Sequence, residues 1–134
     1  MPRYMLDTDT CSFVIKRTNE RVVKRLRRTA IDDVCVSVVT KAELLYGVDI
    51  SPRQRMDEPA VTTFLRHVAV LDFPDEAAHH YATIRGHLKR KGNMIGANDL
   101  FIAAHARCLG LTLVTNNLDE FRRVPQLRIE NWDT

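Results

Sequence analysis

The sequence lacks the features of secreted, disulfide-bonded and membrane proteins. Its three cysteines, Cys11, Cys35 and Cys108, form no CxxC pair, so neither a disulfide framework nor a zinc-finger site is indicated. No apolar run reaches the ~18–20 residues that a membrane span needs. The acidic residue Asp7 comes too early for the apolar core of a signal peptide. We therefore expect a cytoplasmic protein that does not enter a membrane.

An excess of charge of one sign is also absent. The 20 Lys and Arg residues nearly balance the 17 Asp and Glu residues, which leaves a net charge of +3. With 45% hydrophobic and 28% charged residues, the composition is that of a folded protein and excludes general disorder. A length of 134 residues is typical of one domain, so we expect residues 1–134 to form a single domain.

Short apolar runs rich in β-branched residues alternate with helical patterns along the chain. Such runs are typical of strands buried on both faces. They occupy residues 4–6, 34–39, 68–71, 111–115 and 127–129. This alternation predicts the α/β class, with a central, mostly parallel sheet of about five strands flanked by helices on both faces.

Carboxylates and amides follow several of these predicted strands. Asp7 closes the first strand, Glu43 lies in the first helical turn after the second, and Asp99 opens a helix predicted at residues 97–108. Behind the strand at 111–115 come three further polar residues, Asn117, Asp119 and Glu120. Ligands of parallel α/β sheets bind outside the carboxyl ends of the strands, so these side chains are candidates for one site.

Each of these residues also has a purely structural interpretation. Asp7 could cap the following helix, and Glu43 could complete a T-x-x-E capping box with Thr40. Asp99 could stabilise a helix N-terminus, while Asn117 and Glu120 fit a turn and a helix start. Several carboxylates held together repel one another, however, and either gain protons or bind a divalent cation. Oxygen ligands without a Cys/His set favour Mg²⁺ or Mn²⁺ over zinc.

At these residues the chain resembles a known family. The matching blocks are YMLDT at 4–8, TKAELLYG at 40–47, IGANDLFIAAHA at 95–106 and LVTNN at 113–117. In this order and spacing they resemble PIN-domain ribonucleases, and more narrowly the VapC toxins of bacterial type II toxin–antitoxin modules. The end of the chain, FRRVP at 121–125 and RIENW at 128–132, is similar to the end of those toxins.

The resemblance implies a PIN-like fold and a Mg²⁺-dependent endoribonuclease, with Mn²⁺ as a substitute. Asp7, Asp99 and Glu43 match the acids that hold the metal in this family. Asn117 stands where many PIN domains have a fourth acid, and Asp119 or Glu120 could supply that charge. The implied role is that of a toxin that cleaves tRNA or rRNA and so inhibits translation and growth. Its implied partners are a VapB-type antitoxin and a second copy of the chain.

A basic segment offers a complementary surface for RNA. We predict a helix across residues 16–28 that carries seven basic residues and one acid, Glu20, with an apolar stripe formed by Val22, Val23 and Leu26. This face could contact phosphates or could simply be solvated. The basic residues are Lys16, Arg17, Arg21, Lys24, Arg25, Arg27 and Arg28.

Two other functions remain possible from the sequence. Asp7-Thr8-Asp9 matches the start of the D-x-D-x-[TV] signature of haloacid-dehalogenase-like phosphatases, although Cys11 stands at its fifth position. Alternatively, the basic segment and an incomplete acid site could form a non-catalytic RNA-binding regulatory domain, an interpretation that Asn117 favours.

Overall fold

Five short strands form one parallel sheet in the computed structural model, which describes residues 1–134. The sheet has the order β3-β2-β1-β4-β5, and every neighbouring pair is parallel. This confirms the predicted α/β class and the number of strands. The strands are β1 (Tyr4–Leu6), β2 (Val34–Ser37), β3 (Ala69–Leu71), β4 (Thr112–Val114) and β5 (Ile129–Glu130).

Seven helices cover the two faces of the sheet, as the alternating pattern predicts. They are α1 (Thr8–Lys16), α2 (Glu20–Arg27), α3 (Val38–Asp49), α4 (Gln54–His67), α5 (Ala77–Lys91), α6 (Ala97–Leu109) and α7 (Leu118–Phe121). A 3₁₀ turn at Ile31–Asp33 precedes β2. None of these helices is long and apolar enough to cross a membrane.

The core consists of two apolar layers, one on each face of the sheet. Successive strand residues point to opposite faces, so Met5 and Cys35 pack with α5 and α6, whereas Leu6, Val34 and Val36 pack with the first four helices. All five of these side chains are fully buried. Burial on both faces explains why the central strands are continuous apolar runs rather than alternating ones.

The predicted strand at 34–39 is wrong at its last two residues, because the chain turns into α3 at Val38. Ser37 is the N-cap, and its Oγ accepts a hydrogen bond from the Val39 amide at 3.1 Å. The cap outweighs the strand preference of two valines. The predicted capping box at Thr40 is therefore also wrong, since Thr40 is buried within the helix. Glu43 is thus left free to reach other parts of the fold.

The basic helix predicted over 16–28 is shorter than expected, because Lys16 ends α1 and α2 begins only at Glu20. Arg17 adopts a left-handed conformation with φ 53° at the end of α1. Asn19 then caps α2, where its Oδ1 accepts a hydrogen bond from the Val22 amide at 3.2 Å. A capping asparagine inside a charged segment was the signal for this break. The basic residues therefore divide between two helices and the turn that joins them.

Candidate active site

Asp7 lies directly after β1 and caps α1. Its Oδ1 accepts a hydrogen bond from the Thr10 amide at 2.9 Å, and only 4% of the residue is exposed. Burial raises the pKa of Asp7 above its ordinary value, against the opposing effect of hydrogen bonds from Thr115 and Thr10. The structural interpretation of Asp7 as a cap is correct, and the same carboxylate still lies at the carboxyl edge of the sheet.

Glu43 is held by side chains from two other helices. Thr8 Oγ1 donates to Glu43 Oε1 at 2.6 Å, and Asn98 Nδ2 donates to Glu43 Oε2 at 3.3 Å. Thr8 Oγ1 also lies 3.2 Å from the hydroxyl of Thr40. Glu43 therefore joins α1, α3 and α6 at one place, a role that the capping-box interpretation would have excluded.

Asp99 and Glu120 are in contact although they belong to different helices. Asp99 lies in the first turn of α6, and a hydrogen bond between the two carboxyl groups needs one proton. Burial, together with Glu120, Glu43 and Asp7, raises the pKa of Asp99 to about 7. Such a pair of acids either shares a proton or binds a cation.

Gly96 provides the space for this pair. Its amide donates to Glu120 Oε1 at 3.0 Å. A Cβ atom at position 96 would lie 3.3 Å from Asp99 Oδ2 and 3.7 Å from Glu120 Oε1. The backbone can approach the carboxylates this closely because glycine has no side chain.

Asn117 and Asp119 have different positions relative to this cluster. Asn117 precedes α7, donates its amide to Thr115 Oγ1 at 2.9 Å, and contacts the Glu120 carboxylate through its side-chain Nδ2. The side chain of Asp119 is 95% exposed and lies 3.7 Å from Arg122. The structure therefore brings Glu120, and not Asp119, to the other acids.

Asp7, Glu43, Asp99 and Asn117 line a cavity of about 160 Å³ at the carboxyl edge of the sheet, and Glu120, which contacts Asn117, is not among its lining residues. We call this space the acid cavity. No basic side chain is among its lining residues, which are Asp7, Thr8, Asp9, Glu43, Asp99, Asn117 and Phe121. The carboxylates in the acid cavity therefore face hydrogen-bond donors such as the Thr8 hydroxyl and no lysine or arginine.

The donor set fits a hard divalent cation. No group of three or more His, Cys, Asp or Glu side chains lies close enough together to hold a metal ion by itself. Mg²⁺ does not require such a group, because it is usually bound by one or two carboxylates and keeps several waters. Carboxylate oxygens without nitrogen or sulfur ligands suit Mg²⁺ or Mn²⁺ and do not suit zinc.

Sequence patterns did not indicate three residues of this region. Asn98 reaches Glu43 across 55 positions, and Gly96 contacts Glu120 across 24. Asp9, which we considered only as part of a phosphatase signature, also lines the acid cavity. The spacing could have indicated Asp9. It lies two residues after Asp7 where β1 gives way to α1, so both residues remain near the carboxyl edge of the sheet.

Comparison with known proteins identifies the family. The PIN domain matches residues 4–127. Ribonuclease VapC2 of Haemophilus influenzae is 43% identical over 132 residues, which cover 98% of this chain and 99% of that protein. The tRNA(fMet)-specific endonuclease VapC of Salmonella typhimurium is 42% identical, again over 98% of this chain and 99% of the relative.

Solved structures agree with these relatives. DNA-bound VapBC from Salmonella typhimurium superposes with a TM-score of 0.92 at 42% identity and covers 98% of this chain and 99% of that one. VapBC2 from Rickettsia felis, bound to a DNA fragment from its promoter, gives a TM-score of 0.90 at 36% identity and covers 97% and 98%. This protein therefore belongs to the PIN-domain family and, within it, to the VapC ribonucleases.

Proposed function

We propose that this protein is a toxin endoribonuclease that hydrolyses RNA phosphodiester bonds with Mg²⁺ held in the acid cavity. The observation that carries the proposal is that Asp7, Glu43 and Asp99 line one cavity at the carboxyl edge of the sheet, with no basic side chain among its lining residues. Crowded carboxylates with no basic partner destabilise the empty site and are relieved by a cation. Mn²⁺, which accepts the same oxygen ligands, is the expected substitute.

Within this proposal the chain's own side chains have distinct roles. Asp7 and Asp99 would hold the cation, and Glu43 would hold it or its waters while Thr8 and Asn98 fix the carboxylate. Glu120 supplies the fourth acid, and Asn117 orients it through its side-chain amide. The bound cation would activate water for attack on the scissile phosphate and neutralise charge on the leaving 3′ oxygen.

The names of the relatives suggest a substrate and a partner. One close relative is a tRNA(fMet)-specific endonuclease, so tRNA(fMet) is the first RNA to test, in the cytoplasm where tRNA is found. Several structural neighbours are VapBC complexes, and we propose a VapB-type antitoxin as the partner of this chain. A small reading frame directly upstream would support that pairing. We further propose that the chain acts as a homodimer.

Two alternatives receive less support. The match to the PIN domain favours a nuclease over a haloacid-dehalogenase-like phosphatase. A non-catalytic RNA-binding domain was suggested because Asn117 replaces an acid, but Glu120 lies beside Asp99 and restores a fourth carboxylate. This arrangement supports cation-dependent hydrolysis over binding without cleavage.

The test is cleavage of a tRNA(fMet) transcript by purified protein in Mg²⁺, in Mn²⁺ and in EDTA. We expect Asp7→Asn and Asp99→Asn to lower the cleavage rate by on the order of 100-fold or more. Each change removes the charge of a proposed metal ligand and leaves the size of the side chain unchanged. Asp119→Asn is the matched control, since it removes an exposed acid that does not line the acid cavity. Undiminished cleavage by Asp7→Asn, or full activity in EDTA, would overturn the proposal.

A further inference from the structure

A second, larger cavity adjoins the acid cavity. It has a volume of about 700 Å³, within the roughly 300–1,000 Å³ range of small-molecule sites. Thr8 and Glu43 line both cavities, so the two spaces meet at these two side chains. Asn98, which donates to Glu43 at 3.3 Å, also lines the second cavity. Whatever occupies this space is a direct neighbour of a group bound in the acid cavity.

Aromatic rings form the outer wall of the second cavity. Tyr46 lies one helical turn beyond Glu43 on α3 and is 64% exposed. Phe73 and Phe101 line the same cavity and meet edge to face with ring centroids 5.6 Å apart. Phe101 is itself stacked on Tyr81 at 4.4 Å, which holds that wall in place. Tyr46 is thus the exposed aromatic ring of this cavity, whereas Phe73 and Phe101 pack against other rings.

The charges around the second cavity indicate which part of an RNA it fits. No lysine or arginine is among its lining residues, and Glu43 contributes negative charge. Phosphate groups are therefore disfavoured there. A nucleobase is uncharged and planar, stacks on aromatic rings, and offers polar edges to groups such as the Asn98 amide and the Thr8 hydroxyl.

We propose that the second cavity binds the nucleobase of the nucleotide next to the scissile phosphate, with that base stacked on Tyr46. This inference rests on the proposed RNA cleavage, because the acid cavity must hold the phosphate for the neighbouring base to reach Tyr46. The site would make cleavage depend on the base beside the cut as well as on the RNA backbone.

The first experiment measures kcat/KM on the tRNA(fMet) transcript and maps the cut. Base-to-aromatic stacking predicts that Tyr46→Ala lowers kcat/KM about ten-fold, whereas Tyr46→Phe keeps the ring and the rate. Leu45→Ala is the matched control, because Leu45 is an exposed neighbour on α3 that does not line the second cavity. Wild-type rates for Tyr46→Ala would overturn the proposal.

Short RNAs spanning the mapped cut then separate stacking from other roles of Tyr46. Removing the base on one side of the cut should cost the wild-type enzyme a similar factor and make Tyr46→Ala indistinguishable from wild type. If Tyr46→Ala lowers kcat/KM by the same factor on intact and on abasic RNA, the proposal is overturned. The proposal would also be overturned if the loss of kcat/KM accompanies a change in molar mass or weaker binding of a VapB-type protein. Tyr46 would then contact a protein partner.

A binding measurement distinguishes failure of this inference from failure of the proposed function. The probe is a hexauridylate with 2-aminopurine at a central position, titrated with otherwise unchanged protein in Mg²⁺ and read at early times, before cleavage proceeds. Stacking on Tyr46 should quench the fluorescence, and Tyr46→Ala should abolish the quenching. Equal quenching with and without Tyr46 would contradict the base site even if the wild-type enzyme cleaves RNA.

Discussion

Asp99 retains its proton to a much higher pH than an exposed aspartate does. Its ordinary pKa is 3.8, and burial together with the carboxylates of Glu120, Glu43 and Asp7 raises it to about 7. Because the folded state binds this proton more tightly than the unfolded chain, the proton stabilises the fold at low pH. This contribution is fully present below a pH of about 4 and is lost as the pH rises through about 7.

We therefore expect Asp99→Asn to change how the stability of the metal-free protein depends on pH. In EDTA, the unfolding temperature of the wild type should fall more steeply between pH 6 and pH 8 than that of Asp99→Asn. The variant has no titrating group at position 99. Differential scanning calorimetry across this range measures both. Parallel curves would show that Asp99 titrates normally. Asp119→Asn, at an exposed position, should follow the wild type.

The start of α3 illustrates how one residue decides the position of a whole element. Ser37 ends β2, and its Oγ both accepts from the Val39 amide and lies 2.8 Å from His105 Nδ1 on α6. His105 is fully buried, and its Nε2 has no hydrogen-bond partner. Burial lowers the pKa of His105, so the ring stays neutral. Ser37 thus joins the sheet to both helices that carry Glu43 and Asp99.

At this scale we predict that Ser37→Ala destabilises the protein more than loss of an ordinary cap does. The change removes a cap worth about 1 kcal/mol and leaves a second buried ring nitrogen unsatisfied, for a total of roughly 2–4 kcal/mol. Asn19→Ala is the comparison, because Asn19 caps the more exposed helix α2 and should cost only about 1 kcal/mol. Urea unfolding measures both values, and equal losses would contradict a special role for the His105 contact.

At the scale of the whole molecule, parallel crossovers bring distant residues to one edge. Asp7 follows β1, Glu43 lies in the helix after β2, and Glu120 follows β4, while Asp99 begins the helix that leads into β4. Every strand runs in the same direction, so these segments all arrive at the carboxyl edge. The acids are thus assembled by the topology and repel one another until a cation or protons arrive.

We expect Mg²⁺ to stabilise the whole fold as a result. A ligand that binds only the folded state adds about 2.7 kcal/mol at 100 times its Kd, which should raise the unfolding temperature in proportion to the logarithm of the Mg²⁺ concentration. The rise should be greater at pH 8 than at pH 6, because protons compete for Asp99 at the lower pH. Asp119→Asn should respond like the wild type, whereas a wild type indifferent to Mg²⁺ would argue against a cation in the acid cavity.

Predictions based on local pattern succeeded where the physical cause was also local. The apolar runs that become β1, β2 and β4 are buried on both faces, and this burial is visible as a run of hydrophobic residues. The helix predicted at 97–108 is found as α6, Ala97–Leu109, which ends before Gly110 in a left-handed conformation. The errors at 34–39 and 16–28 arose because a single capping side chain, Ser37 or Asn19, outweighed the surrounding pattern.

The sequence by itself determined the α/β class, the order of the elements and the resemblance to VapC ribonucleases, because periodicity and motif spacing are properties of consecutive residues. Only the tertiary structure decided which side chains meet. It placed Glu120 rather than Asp119 beside Asp99, and it joined Asn98 to Glu43. It also placed the second cavity, with its aromatic side chains, next to Glu43. Such contacts depend on where the crossovers return the chain, a distance in space that linear spacing does not encode.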